Sequence, residues 1–308
     1  MSFSRRSLLG LRELSAEEIL YLLEEAKAFR KILERDVKRV PTLRWLTVVN
    51  LFFESSTRTR ISFELAEKRL SADVVNFSKS TSSVSKGETL RDTVNNILAM
   101  KVDMVVVRHR SVGAAQYIER TANVPVINAG DGANEHPTQG LLDLYTIQEK
   151  FEQFNGLKVV ILGDIRHSRV ARSNIWGLKK LGAKVVLCAP KTLLPPEPDV
   201  FGVDYTTDIE EALSGANVVN VLRLQLERQQ VGYIPSLREY RMFWGLTAER
   251  TKFLDPDHII MHPGPLNRGV EIDPDVADAA DSVILEQVTN GVAIRMAVLY
   301  ILAGKIKE

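Results

Sequence analysis

The chain has 308 residues and a formal net charge of +1, with 45% hydrophobic and 26% charged residues. This length predicts about two domains, and the composition is that of an ordinary soluble globular protein. A net charge so close to zero argues against a nucleic-acid or membrane partner. The single cysteine excludes an intrachain disulfide and a cysteine-based metal site, and the five histidines show no metal-ligand spacing, so we expect no metal.

The first residues contain an arginine pair followed by a short apolar stretch. This stretch begins after Arg6 and ends at Arg12, which is too short for the core of an export signal, roughly 7–15 residues. No apolar run approaches the roughly 18 residues of a membrane span, so we expect a cytoplasmic protein. Ser15 and Glu18 then form a capping-box pattern, which predicts a helix that extends to residue 33.

Apolar strand-like runs alternate with helical patterns through the first half of the chain. We predict strands over residues 46–52, 74–77, 104–107 and 124–128, and helices over 57–70, 88–100 and 114–122. This alternation is typical of βαβ units, and it therefore predicts a parallel sheet with helices packed on it.

A second alternating set follows a long helix predicted over Pro137–Phe151. We predict strands over 159–162, Lys184–Cys188, 218–222, Ile259–Met261 and 283–286, and helices over 169–181, 209–214, 276–280 and 291–302. The predicted fold class is therefore α/β, with two domains that are each a parallel β-sheet flanked by helices. The second domain begins like a Rossmann fold, and we expect the C-terminal helix to pack back on the first domain.

A cluster of hydroxyls and arginines lies between the predicted strand at 46–52 and the helix after it. The cluster comprises Ser56, Thr57, Arg58 and Thr59. At a helix N-terminus the unpaired backbone N–H groups and the helix dipole favour an anion. Threonine hydroxyls and a guanidinium add charge-assisted hydrogen bonds that suit a phosphate. An ordinary Ser/Thr helix cap with solvated arginines is the alternative.

Two more predicted strand ends of the first half carry polar side chains. Arg108 follows the strand at 104–107, and His136 and Gln139 lie in the loop after the strand at 124–128. Ligands of parallel sheets collect at the carboxyl ends of strands, so these side chains suit a small ligand with a phosphate and a polar carbonyl. A solvated basic turn and a packed histidine are the alternatives. No nucleophile has an obvious partner base, so we expect no covalent intermediate.

The second half begins like a dinucleotide-binding domain, with a strand and turn at residues 158–164. The positions where G-x-G-x-x-G would continue hold isoleucine and serine, so we expect no nicotinamide and no other cofactor. Arg169 after this turn, together with Arg223 and Gln225 after another predicted strand, suits a dicarboxylate bound by bidentate pairs. Two surface arginines that bind nothing are the alternative.

Seven short motifs, in order along nearly the whole chain, resemble those of the aspartate and ornithine carbamoyltransferase family. They are S-T-R-T-R at 56–60, S-x-x-x-K-G-E at 82–88, R-H at 108–109, H-P-T-Q at 136–139, G-D-x-x-x-x-R at 163–169, R-x-Q-x-E-R at 223–228 and H-P-x-P at 262–265. Seven motifs in the same order are far more specific than any one of them.

The resemblance implies a carbamoyl-phosphate-binding domain at residues 1–137 and 291–308, an aspartate-binding domain at 138–290, and a hinge that closes them. It implies transfer of the carbamoyl group of carbamoyl phosphate to the amine of aspartate, in de novo pyrimidine biosynthesis. The implied carbamoyl-phosphate ligands are Ser56, Thr57, Arg58, Thr59, Arg108, His136, Gln139, Gly264 and Pro265. The implied aspartate ligands are Lys86, Arg169, Arg223 and Gln225. The implied catalytic residues are Arg58, Thr59, Lys86, Arg108 and His136.

The resemblance also implies a homotrimer with shared active sites, in which Ser82 and Lys86 reach into a neighbouring subunit's site. It allows association of the trimer with regulatory chains or with a dihydroorotase. Two departures from the family's usual pattern concern loops: residues 83–85 hold Ser-Val-Ser, and Gly264 stands where other members carry a larger residue. Neither departure removes a charge from the implied site.

Ornithine, or another amino acid, is the alternative acceptor. An ornithine enzyme is expected to carry H-C-L-P where this chain has H-P-G-P at 262–265, and the one cysteine here is Cys188. The two arginines suit a dicarboxylate, whereas an ornithine ammonium would require acidic partners, so aspartate is favoured. A non-catalytic binding relative is the alternative of a different class, and the filled charged positions of the motifs argue against it.

Overall fold

The computed structural model describes residues 3–78, 88–225 and 232–306, and the chain divides into two compact units. The first unit comprises residues 1–142 and 289–308, and the second comprises residues 143–288. The predicted site residues Ser82 and Lys86 lie outside the described residues.

The first unit contains a four-stranded parallel sheet. Its strands are β1 (Thr47–Phe52), β2 (Asp73–Ser78), β3 (Met104–His109) and β4 (Val126–Asp131), in the spatial order β2-β1-β3-β4. Its helices are α1 (Ala16–Ile32), α2 (Thr57–Arg69), α3 (Leu90–Ala99), α4 (Ala114–Thr121), the start of α5 (Pro137–Phe151) and most of α11 (Ile284–Gly304). The inner strands β1 and β3 are largely apolar and buried because a parallel sheet is covered by helices on both faces.

Helix α11 packs on the first unit, as the sequence predicts. The Arg295 guanidinium donates to the Ser62 hydroxyl at 3.0 Å and stacks over the Phe63 ring, and Tyr300 contacts the Phe29 ring edge to face. Among the described residues, α11 is long and apolar enough to cross a membrane, and 78% of its apolar 18-residue window is buried, as in a core helix.

The second unit contains a five-stranded parallel sheet. Its strands are β5 (Lys158–Leu162), β6 (Lys184–Cys188), β7 (Asp204–Thr206), β8 (Val218–Val221) and β9 (Ile259–Met261), in the order β7-β6-β5-β8-β9. Its helices are α6 (Arg169–Lys180), α7 (Ile209–Leu213), α8 (Leu237–Trp244), α9 (Ala248–Thr251) and α10 (Pro274–Ala277). Cys188 ends β6 inside the apolar core, fully buried, and this burial raises the pKa of its thiol to about 12.

The predicted strand at 283–286 is wrong. Val283 does donate its N–H to the Ile260 carbonyl at 3.0 Å, as a strand beside β9 would. Its own carbonyl, however, accepts from the Gln287 N–H at 3.0 Å, and this bond opens helix α11 at Ile284. A short apolar run is compatible with a strand or a helix. Here a helix forms because the apolar pattern continues for many residues.

The strand order reverses beside the first strand of each sheet. In the first unit β1 continues to β2 on one side, and β3 lies on its other side. In the second unit β5 continues to β6, and β8 lies on its other side. Open parallel sheets bind ligands at the carboxyl ends of strands where the order reverses. The topology therefore marks the β1/β3 crevice and the β5/β8 crevice as candidate sites.

Candidate active site

The ends of β1 and β3 lie side by side in the first unit. Phe52 pairs with Arg108 in the parallel register, and the Phe53 N–H donates to the Arg108 carbonyl at 2.9 Å. The chain leaves β1 and enters α2 after Ser56. Arg108 is therefore held beside the segment that leads into the N-terminus of α2.

The first turn of α2 has the features of an anion site. Its N-cap residue is Ser56, whose hydroxyl makes no capping hydrogen bond, and the turn carries no acidic side chain. Thr57 and Arg58 are exposed, whereas Thr59 is 9% exposed. Backbone N–H groups and the helix dipole point towards the same end. The structure thus places four predicted phosphate ligands in one turn, with donors and positive charge together.

The Arg108 guanidinium is held by contacts within its own unit. Nη1 donates to the Ala129 carbonyl at 3.1 Å, and Nη2 donates to Glu54 Oε1 at 3.2 Å. The side chain is 11% exposed. These contacts fix the plane of the guanidinium, and a fixed fork loses less entropy when it binds an oxygen of a substrate.

His136 and Gln139 lie together where β4 leads into α5. Asp131 orders this loop, because its carboxylate accepts from the Gly113 N–H and from Asn128 Nδ2, both at 2.8 Å. His136 is 4% exposed, and its carbonyl accepts from the Gln139 N–H at 3.0 Å in the first helical turn. Since β4 pairs with β3, both residues lie at the same edge of the sheet as Arg108.

In the second unit the ends of β5 and β8 approach each other closely. The Leu222 N–H donates to the Leu162 carbonyl at 2.7 Å. Gly163 follows β5 with φ +121°, and a Cβ atom there would lie 2.8 Å from the Leu222 carbonyl oxygen. Only glycine allows this conformation and this approach. Asp164 follows Gly163 after β5, and Arg223 follows Leu222 after β8, so both residues lie at the crevice.

Buried Asp164 organises the residues after both strands. Its Oδ1 lies 2.8 Å from Nδ1 of His167, and its Oδ2 accepts from the Gln225 N–H at 3.3 Å. Gln225 Nε2 in turn donates to the His167 carbonyl at 3.1 Å. The segment that carries the predicted aspartate ligand Gln225 is therefore fixed to the turn after β5.

The two arginines that are predicted to bind a dicarboxylate follow neighbouring strands, β5 and β8. Arg169 is the first residue of α6 and is 5% exposed. Arg223 is half-buried and follows β8. The Ser168 hydroxyl caps α6 by accepting from the Ala171 N–H at 3.1 Å. A pair of guanidiniums at adjacent strand ends suits a ligand with two carboxylates.

Gly264 and Pro265 lie in the loop after β9. The Gly264 N–H donates to His262 Nδ1 at 2.8 Å, and the His262 N–H donates to Gln287 Oε1 at 2.9 Å. Pro265 is exposed. Buried side chains therefore set the shape of this loop.

The structure brings the described site residues into two groups, one in each unit. The first group consists of Ser56, Thr57, Arg58, Thr59, Arg108, His136 and Gln139. The second group consists of Arg169, Arg223, Gln225, Gly264 and Pro265. Sequence reasoning missed the roles of the acids Glu54 and Asp164, although each lies within or beside a motif rich in Arg or His, which was an available signal. In the three described ranges, no three His, Cys, Asp or Glu side chains are grouped to hold a metal ion.

Two family models match the chain. The model of the aspartate/ornithine carbamoyltransferase carbamoyl-P binding domain matches residues 6–149, and that of the Asp/Orn binding domain matches residues 155–302. The chain is 60% identical to the aspartate carbamoyltransferase catalytic subunit of Gemmatimonas aurantiaca, over 97% of this chain and 94% of that protein. It is 56% identical to the protein of the same name from Halothermothrix orenii, over 99% and 97%.

Solved structures agree with these similarities. The ornithine carbamoyltransferase of Pyrococcus furiosus matches with a TM-score of 0.86 and 31% identity, over 99% of each chain. The aspartate transcarbamoylase of Trypanosoma cruzi in complex with carbamoyl phosphate and aspartate matches with a TM-score of 0.85 and 30% identity, over 96% and 95%. The protein thus belongs to the aspartate/ornithine carbamoyltransferase family.

Proposed function

We propose that the protein transfers the carbamoyl group of carbamoyl phosphate to the amine of L-aspartate, giving N-carbamoyl-L-aspartate and phosphate. The observation that carries this proposal is the pairing of Phe52 with Arg108 together with the 3.2 Å contact of Arg108 Nη2 with Glu54, which hold the guanidinium beside the segment that leads into α2. Relatives with 55–60% identity that are named aspartate carbamoyltransferase catalytic subunit support aspartate as the acceptor. This reaction would serve pyrimidine biosynthesis.

In this proposal the phosphate and the carbonyl oxygen of carbamoyl phosphate bind to residues of the first unit, whereas two further assigned ligands, Gly264 and Pro265, belong to the second unit. Arg58 and the N-terminus of α2 stabilise the phosphate as it departs. Thr59, Arg108 and His136 donate to the carbonyl oxygen, where negative charge develops when the amine attacks. The remaining assigned ligands are Ser56, Thr57, Gln139, Gly264 and Pro265.

Aspartate binds to Arg169, Arg223 and Gln225 of the second unit. The two guanidiniums pair with its carboxylates and orient the amine towards the carbamoyl carbon. The amine attacks directly, the bond from carbon to the phosphate oxygen breaks, and the departing phosphate accepts the proton of the amine. No covalent enzyme intermediate is needed.

The active assembly is a homotrimer in this proposal, with Ser82 and Lys86 supplied by a neighbouring subunit. Exposed apolar side chains on α2 and on the edge strand β2, namely Ile61, Leu65 and Val75, support a contact between subunits there. Association with regulatory chains or with a dihydroorotase, and a place in the cytoplasm, stay predictions from the sequence.

A carbamoyl-transfer assay with aspartate and ornithine in parallel tests the proposal. Aspartate should be strongly preferred, because Arg169 and Arg223 match two carboxylates. An Arg58→Ala protein purified in the same way should be slower by about 10²-fold or more, which controls for a contaminating host enzyme. Turnover that prefers ornithine would make the alternative acceptor correct, and ornithine carbamoyltransferases are also similar in structure.

A further inference from the structure

Two buried ionisable side chains of the second unit contact each other directly behind the loop that contains Gly264. His262 and Glu271 have fully buried side chains, and His262 Nε2 lies 3.3 Å from Glu271 Oε1. His262 is the last residue before the Pro263–Gly264–Pro265 turn. Burying such a pair is costly in free energy unless each group is well hydrogen-bonded. The hydrogen bonds of the two groups therefore indicate why the pair is buried at this loop.

The hydrogen bonds determine which nitrogen of His262 carries the proton. The Gly264 backbone N–H donates to Nδ1 at 2.8 Å. A ring nitrogen that accepts a hydrogen bond has no proton of its own. The neutral imidazole therefore carries its proton on Nε2, which faces the Glu271 carboxyl group.

Glu271 closes the loop at its other end. The same oxygen that faces His262, Oε1, accepts from the Asn267 N–H at 2.5 Å. One carboxylate oxygen thus joins the first and last residues of the segment 262–267. It fixes the imidazole through Nε2 and the returning chain through a backbone N–H.

The pair is itself anchored to the core of the second unit. The His262 N–H donates to Gln287 Oε1 at 2.9 Å, and Gln287 Nε2 donates to Asp143 Oδ1 at 2.7 Å. Asp143 is 1% exposed and also accepts from Asn174 Nδ2 at 2.7 Å. A buried network in which most members are bonded resists movement, so the imidazole has little freedom to turn.

Because of these contacts, the loop can bind a ligand only through hydrogen-bond acceptors. The Gly264 N–H points to the imidazole, and prolines flank it on both sides, so the turn presents carbonyl oxygens rather than donors. Among the described residues no donor contacts the carbonyl oxygens of Pro263 and Gly264. The family resemblance implies that the backbone of this loop holds the carbamoyl amide, and two acceptors match the two N–H donors of a primary amide.

We propose that His262 and Glu271 are positioning residues, which hold the Gly264 loop in the conformation that accepts the amide of carbamoyl phosphate. His262 acts through Nδ1 on the Gly264 N–H, and Glu271 keeps the imidazole in the one tautomer that can do so. This inference rests on the proposed function, because it requires that the substrate amide binds at this loop.

Two variants separate the two nitrogens of His262. Asparagine places its Oδ1 at the same number of bonds from the backbone as Nδ1, so His262→Asn keeps an acceptor for the Gly264 N–H. Glutamine places its terminal amide where Nε2 was, so His262→Gln keeps the contact with Glu271 and loses that acceptor. Both variants lose the ring and therefore serve as controls for each other.

The measurement is the affinity for carbamoyl phosphate and for inorganic phosphate by titration calorimetry, without aspartate. His262→Gln should bind carbamoyl phosphate about tenfold more weakly, as expected for one lost hydrogen bond. Its affinity for inorganic phosphate should not change, since that ion has no amide. His262→Asn should stay close to the wild-type protein for both. Equal losses in the two variants, or a parallel loss of phosphate affinity, would show that the residue is merely structural.

A second measurement needs no substitution and decides the matter if His262→Gln fails to fold. In ¹⁵N NMR of the wild-type protein, His262 should show an unprotonated Nδ1, and its ring signals should shift with carbamoyl phosphate but not with inorganic phosphate. A proton on Nδ1, or the same shift with both ligands, would overturn the inference. A failure of the wild-type transfer assay would overturn the proposed function but would not change the tautomer that NMR reports. The two failures can therefore be distinguished.

Discussion

Arg58 is the residue whose removal tests the phosphate site most directly. It is exposed in the first turn of α2, where the helix dipole and the arginine act on the same anion. We expect Arg58→Ala to lower kcat by about 10²-fold or more, because a donor aimed at developing charge contributes about 2.7–4 kcal/mol. Steady-state kinetics with saturating substrates measures this effect.

The matched control is Arg60→Ala, two residues further along the same helix. Arg60 is outside the predicted site and carries the same charge, so its loss should leave kcat nearly unchanged. Equal effects of the two substitutions would indicate a general loss of positive potential rather than a specific role for Arg58.

Glu67 is a buried carboxyl group on the inner face of α2. It is 0% exposed, and its Oε2 accepts from Asn50 Nδ2 on β1 at 2.8 Å. Burial raises the pKa of Glu67 from 4.5 to about 8, while the hydrogen bond from Asn50 opposes this shift. The side chain therefore holds its proton in the folded protein near neutral pH.

The pKa of Glu67 is higher in the folded state than in the unfolded state. At a pH between these two pKa values, the folded state therefore binds a proton that the unfolded state has lost. Stability should then fall by a few kcal/mol as pH rises from about 5 to about 8. Glu67→Gln keeps an acceptor for Asn50 and has no proton to lose, so this fall should be smaller. Urea unfolding at both pH values measures it.

Glu64→Gln, one turn earlier on α2, is the control for this pH dependence. A hydrogen bond from Lys68 lowers the pKa of Glu64, so that carboxyl group is ionised in both states across the same pH range. Its substitution should leave most of the slope in place, with only a small decrease, because the Glu64 charge is a lesser cause of the raised pKa of Glu67 after burial. An unchanged slope in Glu67→Gln would instead mean that Glu67 is already ionised in the folded protein.

Residue types at strand ends were predictable from the sequence, and their supporting contacts were not. Arg108 and His136 are predictable as site residues because each follows an apolar run. Nothing in the sequence pairs Arg108 with Glu54, or Gln225 with Asp164, since both contacts depend on which strands become neighbours. Their roles as substrate ligands stay predictions.

Elements with long apolar patterns were predicted well, and short or polar ones were not. The capping box at Ser15 and Glu18 is confirmed, because its signal is local. Strand β7 was missed because it is short and largely exposed at the sheet edge. Helix α8 was missed because it lies in a polar, arginine-rich segment where only Tyr240 is buried. Tertiary packing decided these cases.

The close approach of the ends of β5 and β8 gives a prediction for these strands. Gly163→Ala should lower the unfolding free energy and weaken aspartate binding, because its Cβ would meet the Leu222 carbonyl oxygen at 2.8 Å beside Asp164 and Arg223. Gly215→Ala is the control, since that glycine also has positive φ but open space around its Cβ position. Denaturant unfolding should show the larger loss at Gly163, and equal losses would mean that backbone strain alone matters.

The division into two units predicts that the two substrates can be affected separately. Arg223→Ala should weaken aspartate binding and leave the affinity for carbamoyl phosphate nearly intact, because Arg223 is assigned to aspartate alone and the proposed phosphate ligands lie in the first unit. Kinetics for aspartate and calorimetry for carbamoyl phosphate measure the two effects. The exposed Arg238, on α8 of the same unit, provides a control in Arg238→Ala. Loss of carbamoyl phosphate with aspartate unaffected would contradict this division.

The proposed trimer predicts that inactive chains can complement each other. Mixing Lys86→Ala chains with Arg58→Ala chains should restore some activity, because one kind of interface then joins an intact Arg58 to an intact Lys86. Mass spectrometry confirms the hybrids, and each parent alone is the control. Hybrid trimers as inactive as both parents would show that each site is built within one chain.

The location of Cys188 makes the chain convenient for chemical labelling. As the single thiol, buried in the core and protonated at ordinary pH, it should not react with maleimides or disulfide reagents while the second unit is folded. Its rate of modification therefore reports how often that unit opens. A cysteine introduced on the surface could be labelled alone in the native protein, with no need to remove the natural one first.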